Sequence, residues 1–287
     1  MKKLSLIISL VAFVVLQGCA AHKAPIQGAP GATYSGKTRL SKGELPGDTE
    51  IKNPEVAYNL ALEFAGKRNM EAAHHYIQLA SQMKPLSKYS FTNGLFYLQE
   101  ANYKEALTYL QQAMQLGPGT TQNRLAVLNA EGVCNMELGQ DDKALELFRK
   151  VVNTPGIMTR YESYYNMGVI YLRQKKLMDA QAVFMKVVEE NPRYFKGYNK
   201  LGLIAALNKK WDDASLYYKK AVDILTNNYQ AKQAGGAEAY FGYGEALFNL
   251  QKYPEARNAF LEVLKIAPEG KFGQQAKKLL VRLGGAG

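Results

Sequence analysis

From about residue 54 to residue 270, apolar residues return every three or four positions, in segments separated by short polar stretches. That period lets a helix bury one face, so the pattern predicts helices throughout. The segments also repeat one another. "NYKEALTYLQQAMQLGP" (102 to 118), "LMDAQAVFMKVVEENP" (177 to 192) and "KYPEARNAFLEVLKIAP" (252 to 268) share four features: an alanine, a large residue four later, a small or apolar residue three after that, and a closing proline. The alanines are Ala73, Ala106, Ala144, Ala180, Ala214 and Ala256, spaced by 33, 38, 36, 34 and 42 residues. Twelve positions before five of them stand Gly94, Gly132, Gly168, Gly202 and Gly244.

A period near 34 with this pattern resembles the tetratricopeptide repeat, a unit of two helices and a turn. Six copies cover about residues 54 to 270, and 161 to 194 is the fullest, with Tyr164, Met167, Gly168, Tyr171, Ala180, Phe184, Val187 and Pro192. The expected fold class is all-α, a tetratricopeptide repeat superhelix of six helix-turn-helix repeats plus a C-terminal capping helix. The recurring residue types have a physical reason. A glycine inside a helix costs about 1 kcal/mol against alanine, so its repetition implies close approach of the two helices of a unit. The longer spacings place insertions between units: about four residues around "GPGTTQNRL", two around "NTPGIM" and eight around "TNNYQAKQAGG". "GQQAKKLLVRLG" is amphipathic, as a capping helix should be.

The first 52 residues break this pattern. Lys2 and Lys3 precede thirteen uncharged residues, Leu4 to Leu16, too few for the roughly 20 that span a bilayer but suited to a secretory signal. Leu16, Gln17, Gly18 and Cys19 follow, a quartet that resembles the bacterial lipobox, with Gln17 larger than the usual residue. The resemblance implies cleavage after residue 18 and acylation of Cys19, and several acyl chains make a stable anchor where one would be marginal. Ala20 and Ala21 lack the aspartate that retains such products at the inner membrane, so the expected location is the periplasmic face of the outer membrane. Residues 20 to 52 are crowded with Gly, Pro, Ser and Lys and read as a flexible tether with a span of roughly 30 Å. The domain plan is therefore 1–18 signal peptide, 19–52 acylated cysteine and tether, and 53–287 repeat domain with cap.

Composition adds limits. The chain is 47% hydrophobic and 21% charged, as a folded protein should be. Its formal net charge of +11 falls to +9 without Lys2 and Lys3. The positive residues are scattered and an exported chain has little access to DNA, so no nucleic acid partner is expected. Lys271, Lys277, Lys278 and Arg282 form the densest cluster, on the polar side of the last helix. With Cys19 acylated, Cys134 has no disulfide partner and is expected to be a small buried hydrophobe.

Nothing in the chain has the spacing of a phosphate loop, a nucleophile elbow or an H-E-x-x-H zinc site, and no enzymatic activity, cofactor or metal is expected. His74 and His75 are adjacent and point apart on a helix, which makes them surface residues and poor ligands. Stacked repeats instead present the first helix of each unit on an inner face. The positions expected there are Tyr58 and Leu62; Phe91, Leu95 and Leu98; Asn129 and Val133; Tyr165, Val169 and Leu172; Asn199 and Leu203; Phe241 and Phe248. This mostly apolar stripe is either a groove for an amphipathic or extended partner segment or, under tight curvature, core. The aromatics from Tyr161 to Tyr243 fit positions that pack, with core favoured over an exposed hot spot.

A lipobox, a short tether and six repeats together look like the pilotin family of type IV pilus biogenesis lipoproteins. "NTPGIMTRYESYYNMGVIYLRQKKLMDAQAVFMKVVEENP" is similar to that family's middle region, while Gln17 and the insertion before the sixth repeat depart from it. The resemblance implies a protein partner, a secretin subunit or its amphipathic segment, carried to the outer membrane by the acyl anchor. Two other uses of the same module remain: a periplasmic scaffold for murein enzymes or outer-membrane assembly factors, and a lipid-headgroup-binding regulator.

Overall fold

A computed structural model of the chain describes residues 51–156, 160–226 and 229–284, with side chains from 235 onward in the last segment. The signal, Cys19 and the tether up to residue 50 lie outside the described residues. Thirteen helices and no strand occur among those described. The first helices of the six repeats are α1 (Pro54–Gly66), α3 (Ser87–Gln99), α5 (Thr121–Glu137), α7 (Tyr161–Arg173), α9 (Phe195–Leu207) and α11 (Tyr229–Asn249). Their second helices are α2 (Met70–Met83), α4 (Tyr103–Gln115), α6 (Asp141–Val152), α8 (Leu177–Glu190), α10 (Trp211–Thr226) and α12 (Tyr253–Ile266), and α13 (Lys271–Gly284) closes the series.

The helix starts follow from local chemistry. Pro54 opens α1, where its missing N–H costs nothing, and the Asn53 side chain accepts the Glu55 N–H. Asn69 caps α2 and Thr120 caps α5 in the same way, accepting from Ala72 and Asn123. The turn inside each repeat is identical in all six copies. Arg68, Ala101, Gly139, Lys175, Lys209 and Gln251, each five residues before its key alanine, have positive φ between 57° and 76°. In each turn the next N–H reaches back to the carbonyl five residues earlier, from Asn69 to Phe64 at 2.9 Å through to Lys252 to Leu247 at 2.9 Å. This is the left-handed closure that ends a helix with its last carbonyls satisfied. Only Gly139 adopts it without a steric cost.

The six key alanines are fully buried where the two helices of a repeat cross. The glycines twelve residues upstream explain why. A Cβ at Gly168 would stand 2.6 Å from the Phe184 ring, at Gly202 2.8 Å from Tyr218, at Gly244 2.6 Å from Phe260 and at Gly94 2.9 Å from Leu110. The expectation of close approach is met at every one of these sites, and the bulky residue four after the alanine fills the space.

Two compact units divide between Leu147 and Phe148, within α6. In the first unit Ala57, Ala61, Tyr76, Ile77, Tyr89 and Phe96 form a continuous core under α1 to α3. In the second, Tyr165, Phe184, Val187, Leu201 and Ile204 pack α7 to α9, and Phe195, Leu225, Phe241, Phe260 and Val263 pack the last repeats. Phe272, Leu279, Leu280 and Leu283 of α13 cover that last cluster while Lys277, Lys278 and Arg282 face outward, as a capping helix requires. Cys134 is a free, fully buried thiol, and burial pushes its pKa up to about 12.

The insertions of four and eight residues differ from the expectation that they fall between units. The first helix of a repeat has 13 residues in α1, α3, α7 and α9, but 17 in α5 and 21 in α11. The extra residues continue the helix as one and two further turns, since neither "TQNR" nor "YQAKQAGG" contains a proline to stop it.

Candidate partner-binding face

In each first helix, residues at i, i+3, i+4 and i+7 share one face. Counted back 18, 15, 14 and 11 residues from the key alanines, that face carries Glu162, Tyr165, Asn166 and Val169 on α7. On α9 it carries Lys196, Asn199, Lys200 and Leu203, and on α11 Glu238, Phe241, Gly242 and Glu245. All of them belong to the second unit. The sequence reading took Tyr165, Val169, Asn199, Leu203 and Phe241 from these rows but passed over the charged positions beside them. The face is therefore not a mainly apolar stripe in this unit. Its acidic, basic and acidic rows succeed one another across three helices.

None of the fourteen residues assigned to the groove from sequence is fully exposed. Leu95, Leu98, Val133, Tyr165, Asn199 and Phe241 are buried, and Tyr58, Leu62, Phe91, Asn129, Val169, Leu172, Leu203 and Phe248 are half-buried. The buried six belong to the packing between helices, and among the half-buried eight Tyr58, Leu62, Val169, Leu172 and Phe248 also pack against core clusters. The aromatic run behaves the same way: Tyr165 sits edge-on to Phe184 at 5.6 Å and to Tyr194 at 5.5 Å, and Tyr194 lies 5.0 Å from Tyr161. These rings make a wall beside Glu162 and the lysines of α9.

The charges on this face are only partly matched. Lys200 Nζ donates to Glu238 Oε1 at 2.9 Å and its side chain is 18% exposed. Burial opposes its charge, yet the Tyr165 hydroxyl and the Glu238 carboxylate outweigh that and hold its pKa above the usual lysine value. Lys196, one turn earlier, has no carboxylate within ion-pair distance among the described residues. Burial, then the like charge of Lys200, pushes its pKa down despite the more distant Glu162 and Glu238. Burial also raises the pKa of Glu162, which accepts from the Tyr161 hydroxyl at 3.5 Å and feels the more distant Lys196, both of which act the other way. On the same helices Asn166 Nδ2 and Asn199 Oδ1 are buried with no hydrogen-bond partner, in side chains that are 4% and 3% exposed. Each such group costs about 1–3 kcal/mol.

The first unit contrasts with this. Glu55 on α1 accepts from Lys88 at 2.6 and 2.8 Å and from the Tyr89 hydroxyl at 2.6 Å, bonds that lower its pKa. Lys88 also sits 5.1 Å above both Tyr58 and Tyr89. His74 is not a plain surface residue. Its Nδ1 lies 2.7 Å from Asn93 Oδ1 and its Nε2 2.9 Å from Glu100, with the ring tilted against Tyr97 at 4.1 Å, so it ties α2 to α3. A cavity of about 410 Å³ between α2, α3 and α4 is lined by uncharged groups, among them Gln78, Ser81, Asn93 and Gln112.

Tetratricopeptide repeat models match residues 161–194 and 194–269. Its fold is the tetratricopeptide-repeat fold. The heat shock protein STI1 of Saccharomyces cerevisiae is 36% identical over 95 residues, which is 32% of this chain and 15% of that protein. The chain thus spans less than a sixth of that curated relative. Among solved structures, PilW, described as a widely conserved type IV pilus biogenesis factor, superposes with a TM-score of 0.64 at 17% identity, covering 77% of this chain and 97% of that one. PilF of Pseudomonas aeruginosa gives 0.64 at 16% identity, covering 79% and 97%. The likeness to both is one of fold. Repeats of this kind bind protein partners, and the face described above carries two of the five buried polar side-chain atoms left unpartnered among the described residues, the others being Ser90 Oγ, Arg160 Nε and Gln174 Oε1.

Proposed function

We propose that the chain is a non-catalytic, protein-binding lipoprotein that helps a secretin subunit reach the outer membrane and assemble into the pore of a type IV pilus. The observation that carries this reading is the correspondence of the repeat domain to PilW and PilF over 97% of each of those chains. The lipobox-like quartet ending at Cys19 supports it from the sequence, since an acylated N-terminus supplies the destination. The mechanism is one of binding and confinement. The repeats hold a partner segment, and the anchor confines that segment to the neighbourhood of the membrane surface.

The test is to delete the gene and blot unboiled outer-membrane extracts for detergent-resistant secretin multimers. Complementation uses the wild-type chain and Cys19→Ala. The expected result is loss of multimers, restored by the wild type and not by Cys19→Ala. Normal multimers in the deletion strain would overturn the secretin role.

A further inference from the structure

We propose that the outer face of α13 is a docking surface for an anionic phospholipid bilayer, its cations meeting lipid phosphates while Val281 enters the headgroup layer. This goes beyond the secretin reading and does not depend on it.

The observation behind it is a break in the charge pattern of the outer helices. Each of the six second helices has an acid in its first turn: Glu71, Glu105, Asp141, Asp179, Asp212 and Glu255. An acid is favoured there because a helix start carries partial positive charge. In α13 that place is taken by Lys271, and no acid occurs from Lys271 to Gly284. On the second helices, exposed lysines are answered from within the helix, Lys186 by Glu189, Lys219 by Asp223 and Lys265 by Glu262. On α13 Lys277 is answered by Glu269 at 2.9 Å, whereas Lys271, Lys278 and Arg282 have no ion pair among the described residues. At 100° per residue these three and Val281 fall within about 100° of one face, and Val281 is 75% exposed. Phe272, Leu279, Leu280 and Leu283 are committed to the last core cluster, so α13 presents this face without leaving its place.

The occupant follows from that mixture of cations and an open valine. Long-stemmed cations reach phosphates while their methylenes lie along apolar surface, and a valine in water gains by entering the same layer. A dissolved polyanion, whether nucleic acid or an acidic protein segment, would neutralise the cations but offer Val281 no apolar layer. Each Lys or Arg held near an anionic leaflet raises occupancy roughly fivefold, so three unmatched cations make a reversible contact that salt weakens.

The experiment acetylates the lysines of the purified full chain in the presence of vesicles of phosphatidylcholine, alone or mixed with phosphatidylglycerol, and reads each site by mass spectrometry. An N-terminal anchor would attach the chain to both kinds of vesicle alike, so the difference between them reports on α13. The expected result is at least about threefold slower acetylation of Lys271 and Lys278 on the anionic vesicles, reversed by salt, with the exposed Lys104 and Lys209 unchanged. Lys278→Gln combined with Arg282→Gln should abolish the protection of Lys271, and Val281→Ser should reduce it. Neither variant should lower the melting temperature, since both alter only exposed side chains. Equal rates on the two vesicles, equal slowing at Lys104 and Lys209, or undiminished protection in the double variant would overturn the proposal. So would the same protection from dissolved polyglutamate, which would assign the face to an acidic protein. No secretin enters this assay. Protection of α13 alongside normal multimers in the deletion strain would therefore keep this surface and remove the secretin reading, and the reverse pattern would do the opposite.

Discussion

Gly168 shows how tightly a single residue is held. Alanine there would gain about 1 kcal/mol in helix propensity, but its Cβ would overlap the ring of Phe184, which is fully buried and has nowhere to retreat. Overpacking of that kind typically costs 1–3 kcal/mol. Gly168→Ala should therefore lower stability by up to about 2 kcal/mol, read as a lower denaturant midpoint with an unchanged slope. A rise in midpoint would mean that α7 and α8 are not in close contact. Glu162 makes a different prediction. Its pKa is raised in the folded chain, so between the ordinary carboxylate value and that raised value the folded state binds the extra proton. Stability contributed by the neutral acid is present at low pH and lost as pH rises through the raised value. Glu162→Gln should match the wild type at acidic pH and become the more stable of the two above that window. Melting temperatures measured from pH 4 to pH 8 check this, and parallel curves would refute it.

At the scale of the element, the six turns inside the repeats use one backbone conformation with six different residues. Left-handed φ costs a residue with a Cβ about 1–2 kcal/mol, and glycine repays part of that gain through its freer unfolded chain. Ala101→Gly should thus stabilise by roughly 0.5 kcal/mol, measured as a small upward shift in midpoint, and a loss would show that φ of about 59° is not held in solution. These turns were not legible in the sequence because five of the six lack the glycine that signals them. The helices themselves were legible, since the spacing of the alanines and glycines is the packing rule written out. The charged rows were readable in principle, because Glu162, Lys196 and Glu238 each stand 18 residues before a key alanine. The apolar positions between them carry the helical period and mask them. Whether an apolar residue such as Leu98 or Phe241 lies open or packed depends on what the neighbouring helix brings, and periodicity within one helix does not carry that.

At the largest scale each of the two compact units is a run of similar repeats whose helices bury one another's faces, with α13 supplying a polar outer side at the end of the second. Such an arrangement tolerates change where repeats meet better than within them. The lengths 13, 17 and 21 for the first helices differ by multiples of four. A gain of four residues turns a helix through about 400°, so the incoming chain joins on nearly the same side and about 6 Å further along the axis, whereas a gain of two would bring it in from the opposite side. Whole turns are therefore the increments by which these helices can be lengthened or trimmed at their starts, and a lineage could accrete them one at a time without ever passing through a misfolded ancestor.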